Sequence, residues 1–440
     1  MVLPVPLYEL RCGVNNYDWG KTGTSSCAAQ FAAAKTEMSI EESKPYAELW
    51  MGTHPSLPSI DLETGRSLQD LISLNESLLG PAVVGRFGTG KLPFLFKVLS
   101  IRKALSIQAH PDKRLAEQLH ANDPKNYPDD NHKPEMAIAI TPFTGLCGFR
   151  PLPEIVEFLS TVKPLADLIG PDAIASFTKL STSATKGEPE KGLREVYEKL
   201  MSSSQGAITA SAKALVEAAR ADKDSFAGGA KLSDGRSFAE LIVELDGQFP
   251  ADVGLFSTFF LNFVYLTPGQ GMFLQANEPH AYLSGDIMEC MASSDNVVRA
   301  GFTPKFKDVP TLVSMLTYRS APVDAQIMKP EPYPFIKIAE DTEAEAALYD
   351  PPIKEFAVVR TLLTRGNIEF EGILGPSIII FTKGTGAISG GGGGKKRMEI
   401  GPGSVVFVGA GLHIGIEGED LECYRAFCSV NEEGSEAKLV

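Results

Sequence analysis

The order of hydrophobic patterns along the chain constrains its fold more than any other feature of the sequence. Short apolar runs begin at Leu92 (LPFLFKVLS) and Glu135 (EMAIAI) and are separated by Pro, Asp and Asn, as in the buried strands of a barrel or sandwich. After Arg150, and up to about residue 258, apolar residues recur at helical spacing instead, and Ser237 and Glu240 have the spacing of a capping box. Strand-like runs then return. The pattern predicts a mainly β protein with an α-helical insert.

The chain has 440 residues, which is more than one hydrophobic core usually organises. We expect a β domain formed by residues 1–150 and 259–330, a helical domain formed by 151–258, and a C-terminal β domain formed by 331–440. The glycine run from Gly390 to Gly394 is followed by basic residues and by no helix start. It therefore predicts an exposed loop and not a cradle for phosphate.

Composition limits the partners of the protein. The net charge of −14 argues against a nucleic acid, because phosphate backbones require basic surfaces. A small anionic substrate would need a local cluster of Lys or Arg within this acidic surface. The sequence has no apolar run of membrane-spanning length and no basic, then apolar, targeting segment at its start. We expect a cytoplasmic protein whose six scattered cysteines are reduced.

Polar residues alternate along one apolar run, LSIQAHPDK, where Ser106, Gln108 and His110 occupy every second position. Because successive side chains of a strand point to opposite faces, these three would share one face. An amide oxygen and an imidazole aimed at one point are able to bind a metal ion. They are equally able to form hydrogen bonds inside a barrel, and spacing alone leaves both interpretations open.

Two further pairs have the same spacing. Lys133 and Glu135 stand at the start of the run EMAIAI, and His280 and Tyr282 open the second β block in NEPHAYLSGDIMEC. Two imidazoles, one carboxylate and one amide oxygen would bind a divalent ion and leave coordination positions for a substrate.

Longer stretches of the sequence identify a family. They are NNYDWGKTG, KPYAELWMGTHP, LPFLFKVLS, LSIQAHPDK, GLCGFRP and NEPHAYLSGDIMECMASSDNVVRAGFTPKF. In this order they closely resemble the type I mannose-6-phosphate isomerases, zinc-dependent enzymes of the cupin superfamily. The helical insert and the C-terminal region resemble that family in texture and placement more than in residues. The resemblance implies cupin or jelly-roll β domains.

The resemblance also implies the metal and the reaction. The ligands of one Zn²⁺ per chain would be Gln108, His110, Glu135 and His280. The expected reaction interconverts mannose 6-phosphate and fructose 6-phosphate through an enediol, and supplies mannose for GDP-mannose and glycan synthesis. The expected partner is thus a small sugar phosphate, with neither nucleic acid nor membrane, and the expected oligomeric state is a monomer.

Within this reaction, Arg299 matches the residue that the family treats as catalytic. A guanidinium cannot easily act as a base, so we expect Arg299 to stabilise enediolate charge or to hold the substrate in register. Three candidates for the proton carrier stay open, namely Glu289, Lys133 and Tyr282. Glu289 stands in the apolar setting IMECM, where desolvation favours a poised carboxyl group.

The phosphate candidates are Ser106, Lys97 and Lys305, because the two lysines supply the local positive charge that the acidic chain otherwise lacks. Two alternative functions remain open. Cupins with two His and one carboxylate also bind Fe(II) and carry out oxygen chemistry, and a cupin could bind a sugar without catalysis. Gln108 and the lysines favour the isomerase. We further expect the helical insert to cover one side of the cleft without donating a catalytic group.

Overall fold

The computed structural model describes residues 5–36, 38–391 and 396–430. Ten strands and four helices precede the helical insert. The strands are β1 (Leu7–Arg11), β2 (Gly13–Asn15), β3 (Lys21–Thr22), β4 (Pro45–Tyr46), β5 (Glu48–Met51), β6 (Ile60–Asp61), β7 (Phe94–Ile101), β8 (Ile107–Ala109), β9 (Glu135–Ala139) and β10 (Phe143–Phe149). The helices are α1 (Cys27–Ala34), α2 (Leu68–Leu74), α3 (Pro81–Phe87) and α4 (Lys113–Asn122).

The insert consists of helices. They are α5 (Leu152–Thr161), α6 (Lys163–Ile169), α7 (Pro171–Ser181), α8 (Glu188–Met201), α9 (Gln205–Asp222), α10 (Phe238–Gln248) and α11 (Gly254–Ser257). Helix α10 begins with the expected capping box, in which the Ser237 side chain accepts from the backbone N–H of Glu240 and the Glu240 side chain accepts from that of Ser237. All seven helices lie within residues 151–258, so the predicted mainly β fold with a helical insert is confirmed.

The second β block comprises β11 (Leu261–Leu266), β12 (Gly271–Leu274), β13 (His280–Ala292), β14 (Val298–Gly301), α12 (Val309–Met315) and β15 (Ile327–Met328). The C-terminal part comprises β16 (Glu331–Pro332), β17 (Ile336–Ile338), β18 (Glu343–Tyr349), β19 (Ala357–Phe370), β20 (Ser377–Gly390), β21 (Lys396–Ile400), β22 (Val405–Val408) and β23 (Ile414–Phe427). Strands β20 and β21 pair with each other, and the last pair in their register is Gly390 with Lys396. Residues 392–394 of the glycine run lie outside the described residues.

The strands form two large antiparallel sheets. One has the order β15-β12-β9-β13-β7-β5-β2, with β8, β10, β11 and β14 joined at β13 and its neighbours. The other has the order β16-β18-β19-β23-β20-β22-β1-β6, with β17 on β19 and β21 on β20. Strands β1 and β6 thus belong to the sheet of the C-terminal part, although we expected residues 1–150 to lie in the first β domain. The reason is a long-range pairing of β1 with β22, which no local pattern encodes.

The described residues form four hydrophobic clusters, one of which, with Leu99, Val264 and Ile287, lies within the first β part. The insert packs its helices against the outer face of β8, β10, β13 and β14. A second layer, which includes Phe96, Val98, Phe407 and Tyr424, lies between the two β parts. A third fills the C-terminal part. None of the helices in the described part of the chain is both long and apolar enough to cross a membrane.

Candidate metal centre and active-site cleft

Alternation along three adjacent strands aims polar side chains away from the helical insert. In β8, Ile107 and Ala109 belong to the core that the strands share with the helices, and Gln108 between them faces the other way. Strands β13 and β14 repeat this pattern. Their apolar residues Ala281, Leu283, Val298 and Ala300 contact the helical core. The insert therefore covers the back of the strands that carry the candidate site.

The antiparallel register places the front-facing side chains of these strands in one row. Gln108 of β8 is the pairing partner of His280 in β13 and of Arg299 in β14. Directly opposite residues of an antiparallel pair have neighbouring side chains on one face. The register thus brings together three residues that are far apart in the sequence.

Glu135 joins this row from β9, which pairs with the far half of β13. One ligand atom from each of His110, Glu135 and His280 lies within 4.8 Å of the others, and all three residues are buried. Glu135 Oε2 is 3.4 Å from His110 Nε2 and 3.3 Å from His280 Nε2. Gln108 Nε2 is 3.5 Å from His110 Nε2. The four side chains that we expected as ligands therefore form one cluster.

The donor atoms of this cluster fit a divalent metal ion. Among the described residues, Glu135 Oε2 and His280 Nε2 are buried without a hydrogen-bond partner, a costly arrangement unless a further group binds them. Two imidazole nitrogens and a carboxylate oxygen are ligands that zinc prefers. The side-chain amide of Gln108 can be turned by 180° on equal geometric grounds, which would direct its oxygen towards His110.

Backbone carbonyls orient both imidazoles. His110 Nδ1 is 2.7 Å from the carbonyl oxygen of Asn296, and His280 Nδ1 is 3.3 Å from that of Glu278. Because a carbonyl can only accept, each Nδ1 carries the proton and each Nε2 presents its lone pair to the cluster. Hydrogen bonds of this kind fix the tautomer of metal-binding histidines.

Asp129 holds the loop that carries the Asn296 carbonyl. The Asp129 carboxylate accepts hydrogen bonds from Ser294 Oγ and from the backbone N–H of Asp295, both at 2.8 Å. Asn296 Nδ2 donates to the Asp129 carbonyl oxygen at 2.7 Å. We did not predict this role, since it depends on contacts between segments about 165 residues apart.

Electrostatics keep the cluster in the protonation state that binds a metal. Burial lowers the pKa of His110 to about 4, so its imidazole is neutral. Burial acts to raise the pKa of Glu135, but Lys133 and His110 outweigh it and hold that pKa well below its usual value. Lys133 Nζ lies 3.1 Å from Glu135 Oε1. The Glu135 carboxylate and the neutral imidazole of His110 are therefore available at neutral pH.

A cleft of about 460 Å³ leads to Gln108. Its lining includes the predicted residues Ser106, Arg299 and Lys305, so the structure brings these together with the metal cluster. Ser106 Oγ is 3.1 Å from Gln108 Oε1. Arg299 is partly buried, which lowers its pKa below the usual value, and its guanidinium has no ion-pair partner among the described residues. Such a guanidinium is available to a ligand.

The cleft also has walls that we did not predict. Lys103 and Phe249 face each other across one side of it, with Lys103 Nζ 4.8 Å from the ring centroid. Phe249 directly follows α10, so the insert supplies part of the wall. The only feature of the sequence that could have suggested a role for Lys103 in the cleft is the pair of neighbouring basic residues in IRKALS.

Lys97, a predicted phosphate contact, lies elsewhere. It is buried in β7 with Nζ 3.1 Å from Glu289 Oε2 and 3.6 Å from Glu48 Oε2. Burial acts to lower the pKa of Lys97, but Glu48 and Glu289 outweigh it and raise that pKa above its usual value. Its charge is balanced by these two carboxylates, and it does not line the cleft. A phosphate would have to displace an internal ion pair to reach it.

The three candidates for the proton carrier are not among the residues that line the cleft. Burial raises the pKa of Glu289 above its usual value, against the opposing charge of Lys97. Burial, reinforced by Glu289, raises the pKa of Tyr282 well above its usual value. Lys133 is engaged with Glu135. The shift brings the Glu289 carboxyl towards neutral pH and takes the Tyr282 hydroxyl away from it.

Comparison with known proteins now adds to this geometry. Three family models match the chain: the type I phosphomannose isomerase catalytic domain over residues 7–152, the helical insertion domain of that family over 168–261, and its C-terminal region over 346–392. The mannose-6-phosphate isomerase of Aspergillus fumigatus is 53% identical and covers 97% of each chain. The chain belongs to the type I phosphomannose isomerase family.

Other members of the family agree with this assignment. The mannose-6-phosphate isomerase of Saccharomyces cerevisiae is 49% identical, covering 97% of this chain and 99% of its own. A crystal structure of mannose 6-phosphate isomerase from Salmonella typhimurium, bound to the substrate F6P and a zinc atom, has a TM-score of 0.78 at 29% identity and covers 97% of this chain and 100% of its own. The predicted family is confirmed, and this type I phosphomannose isomerase is an enzyme of the isomerase class.

Proposed function

We propose that this enzyme interconverts mannose 6-phosphate and fructose 6-phosphate, with one Zn²⁺ per chain held by Gln108, His110, Glu135 and His280. The observation that carries the proposal is the convergence of buried ligand atoms at the end of a cleft that contains Arg299, with two of these atoms lacking a hydrogen-bond partner among the described residues. When bound, zinc supplies Lewis-acid polarisation of sugar oxygen atoms. The relatives named above support the choice of metal and of substrate.

The proposed reaction moves one proton between neighbouring carbons of the open-chain sugar. A base takes the proton from C2 of the aldose, the electrons of that C–H bond form the C1=C2 double bond, and O1 gains a proton to give the enediol. Return of a proton to C1, with loss of the O2 proton, gives the ketose. The chain must therefore supply a base and a donor for the developing oxyanion.

Arg299 is the proposed oxyanion donor. Its guanidinium lines the cleft next to Gln108, and within the described ranges no carboxylate neutralises it. A fixed cation in a partly buried site stabilises charge that develops in the transition state more than it stabilises the neutral sugar.

Glu289 is the proposed proton carrier. A base must be able to lose and regain its proton near neutral pH, and burial shifts the pKa of this carboxyl in the required direction. The Tyr282 hydroxyl, whose pKa is raised well above its usual value, stays protonated at neutral pH. Lys133 serves instead as the electrostatic partner of the ligand Glu135.

The phosphate is proposed to bind at the mouth of the cleft. Lys305 is exposed there, and the Ser106 hydroxyl lies deeper on the same lining. Lys103 joins them as a third group from the same surface. We leave Lys97 out of this set, because Glu48 and Glu289 already balance its charge.

The enediol route is tested by proton exchange with solvent. The enzyme, with either sugar phosphate, is incubated in D₂O, and deuterium at C1 of the ketose and C2 of the aldose is followed by NMR. Incorporation at both carbons is the expected result. Complete interconversion over many turnovers with no deuterium at either carbon would favour hydride transfer and contradict the proposed base.

The same experiment separates the other functions that the sequence left open. A sugar-binding protein without catalysis would bind fructose 6-phosphate and leave both its carbons unexchanged. An Fe(II) oxygenase would require O₂ and would be inactive under argon, whereas the proposed isomerase works equally with and without oxygen.

The cellular setting is part of the proposal. We propose that the enzyme is a cytoplasmic monomer whose product, mannose 6-phosphate, feeds GDP-mannose and glycan synthesis. All six cysteines are free thiols, five of them buried, which suits a reducing compartment. Light scattering during gel filtration tests the monomer, since a mass of about twice 47.3 kDa would contradict it.

A further inference from the structure

The C-terminal part contains a buried arginine that has no ion-pair partner among the described residues. Arg425 lies on β23 and is 3% exposed, and its pairing partners Val359 and Ile379 belong to the core of this part. Its Nε donates a hydrogen bond to Ser377 Oγ at 3.0 Å. The guanidinium carbon is 5.6 Å from the ring centroid of Phe370. The Arg425 guanidinium thus contacts a hydroxyl and an aromatic ring, where a buried arginine usually contacts a carboxylate.

The charge of Arg425 is not compensated by the chain. Burial lowers its pKa to about 10, so it is still a cation at neutral pH. Among the described residues no acidic side chain forms an ion pair with it, and Nη1 is buried without a hydrogen-bond partner. Glu371, which acts electrostatically on the adjacent Tyr333, is paired with Lys337 at 3.6 Å. An unpaired buried charge destabilises the folded protein, so a bound counter-ion would stabilise it.

A second unsatisfied donor lies beside it. The Tyr333 hydroxyl is buried without a hydrogen-bond partner in the described part of the chain. Its ring lies 6.2 Å from that of Phe370, which also contacts Arg425, and 6.3 Å from that of Phe427. Burial raises the pKa of Tyr333 and the nearby Arg425 opposes this, so the hydroxyl keeps its proton and can donate it.

We propose that Arg425 and Tyr333 bind one small inorganic anion of the halide class. A guanidinium N–H and a phenol O–H are donors that both lack an acceptor, and a negative charge would satisfy both and neutralise the arginine. The surrounding rings of Phe370, Phe427 and Phe335 offer no further donors. A phosphate or sulfate needs more donors than these, whereas a chloride ion with its single charge does not. The site is structural and separate from the proposed metal cluster.

The test is the melting temperature of the full chain, measured while chloride replaces methanesulfonate at constant ionic strength. The wild type is expected to gain stability with chloride, little below the Kd and then in proportion to the logarithm of the chloride concentration, as linkage to a single site requires. Arg425→Met, which removes the charge at similar volume, should abolish the chloride-dependent gain. Arg365→Met, which removes an exposed cation on β19 of the same sheet, is the matched control and should keep it.

A second, milder variant keeps the proposal testable if Arg425→Met does not fold. Tyr333→Phe deletes only the hydroxyl, and we expect it to raise the Kd for chloride, fitted from the same melting temperatures, about tenfold, the effect of one hydrogen bond to a charged group. Crystals soaked in bromide should show one anomalous peak within hydrogen-bond distance of Arg425 Nη1. A melting temperature that is independent of chloride, or an ordered water with no bromide at this position, would overturn the proposal.

Discussion

At the scale of single residues, the site depends on which face of a strand each side chain occupies. Gln108, His280 and Arg299 stand in one row because β8 pairs with β13 on one side and β14 on the other. The alternation that placed Gln108 and His110 on one face is visible in the sequence. The row itself is not visible there, because the register of strands about 170 to 190 residues apart is set by tertiary packing.

Arg299 provides the first test at this scale. We expect Arg299→Ala to lower kcat by about 100- to 1,000-fold, the usual effect of losing one preorganised donor to a developing oxyanion, with little change in KM or bound zinc. Arg299→Lys should also have a low kcat, since an ammonium group lacks the planar guanidinium geometry that donates two parallel hydrogen bonds. Arg114→Ala, on the exposed face of α4, is the control. A raised KM with unchanged kcat would assign Arg299 to substrate anchoring instead.

A second test at the residue scale concerns Asp129. Its carboxylate holds the loop whose Asn296 carbonyl orients His110, so we expect Asp129→Asn to weaken zinc affinity about 10- to 100-fold. The neighbouring exposed Asp130→Asn should leave the affinity unchanged. The measurement is a competition titration with a chromophoric chelator. Equal zinc affinity in the two variants would show that the loop holds its shape without Asp129.

At the scale of elements, the helical insert is a backing layer with one edge in the cleft. The sequence predicted its helical character well, since Ser237 and Glu240 encode the start of α10 locally. It did not predict that the residue after α10, Phe249, would face Lys103, because that contact needs the insert to dock on the β sheet. Gln248 Oε1 also accepts from the backbone N–H of Ala104 at 2.7 Å, which fixes this docking.

The insert is therefore expected to shape substrate binding without taking part in chemistry. Phe249→Ala should raise KM for both sugar phosphates several-fold and change kcat little, because it removes a wall of the cleft and leaves the metal ligands in place. Lys213→Ala, on the exposed face of α9, should change neither constant. A loss of kcat for Lys213→Ala in a folded protein would contradict this division of roles.

At the scale of the whole molecule, the two sheets are joined by one shared apolar layer. Met136 and Cys290 contribute to it from the first sheet, and Phe407 and Tyr424 from the second. The crossing of β1 into the second sheet adds a covalent connection at the start of the chain. The number of β blocks could be predicted from the sequence, but their mutual packing could not. An apolar strand residue can pack against any other apolar surface, so its partner is not evident from the pattern.

The shared layer should make the two β parts unfold together. Phe407, which is 0% exposed, contacts this layer, and we expect Phe407→Ala to lower the free energy of unfolding by about 3–5 kcal/mol. Leu374→Ala, at a residue 58% exposed, should change it by less than about 0.5 kcal/mol. Urea unfolding followed by fluorescence and by circular dichroism should give coincident curves. Two separate transitions in the wild type would show that the parts are independent.

The central claim, that a zinc ion held by His110, Glu135 and His280 is required for turnover, is tested by one measurement. Zinc content and isomerase activity are determined in the same samples of wild type and His280→Ala, as purified, after chelation, and after zinc is added back. We expect about one zinc per wild-type chain, activity that disappears and returns with the metal, and neither zinc nor activity in His280→Ala. Full activity in a metal-free sample would contradict it.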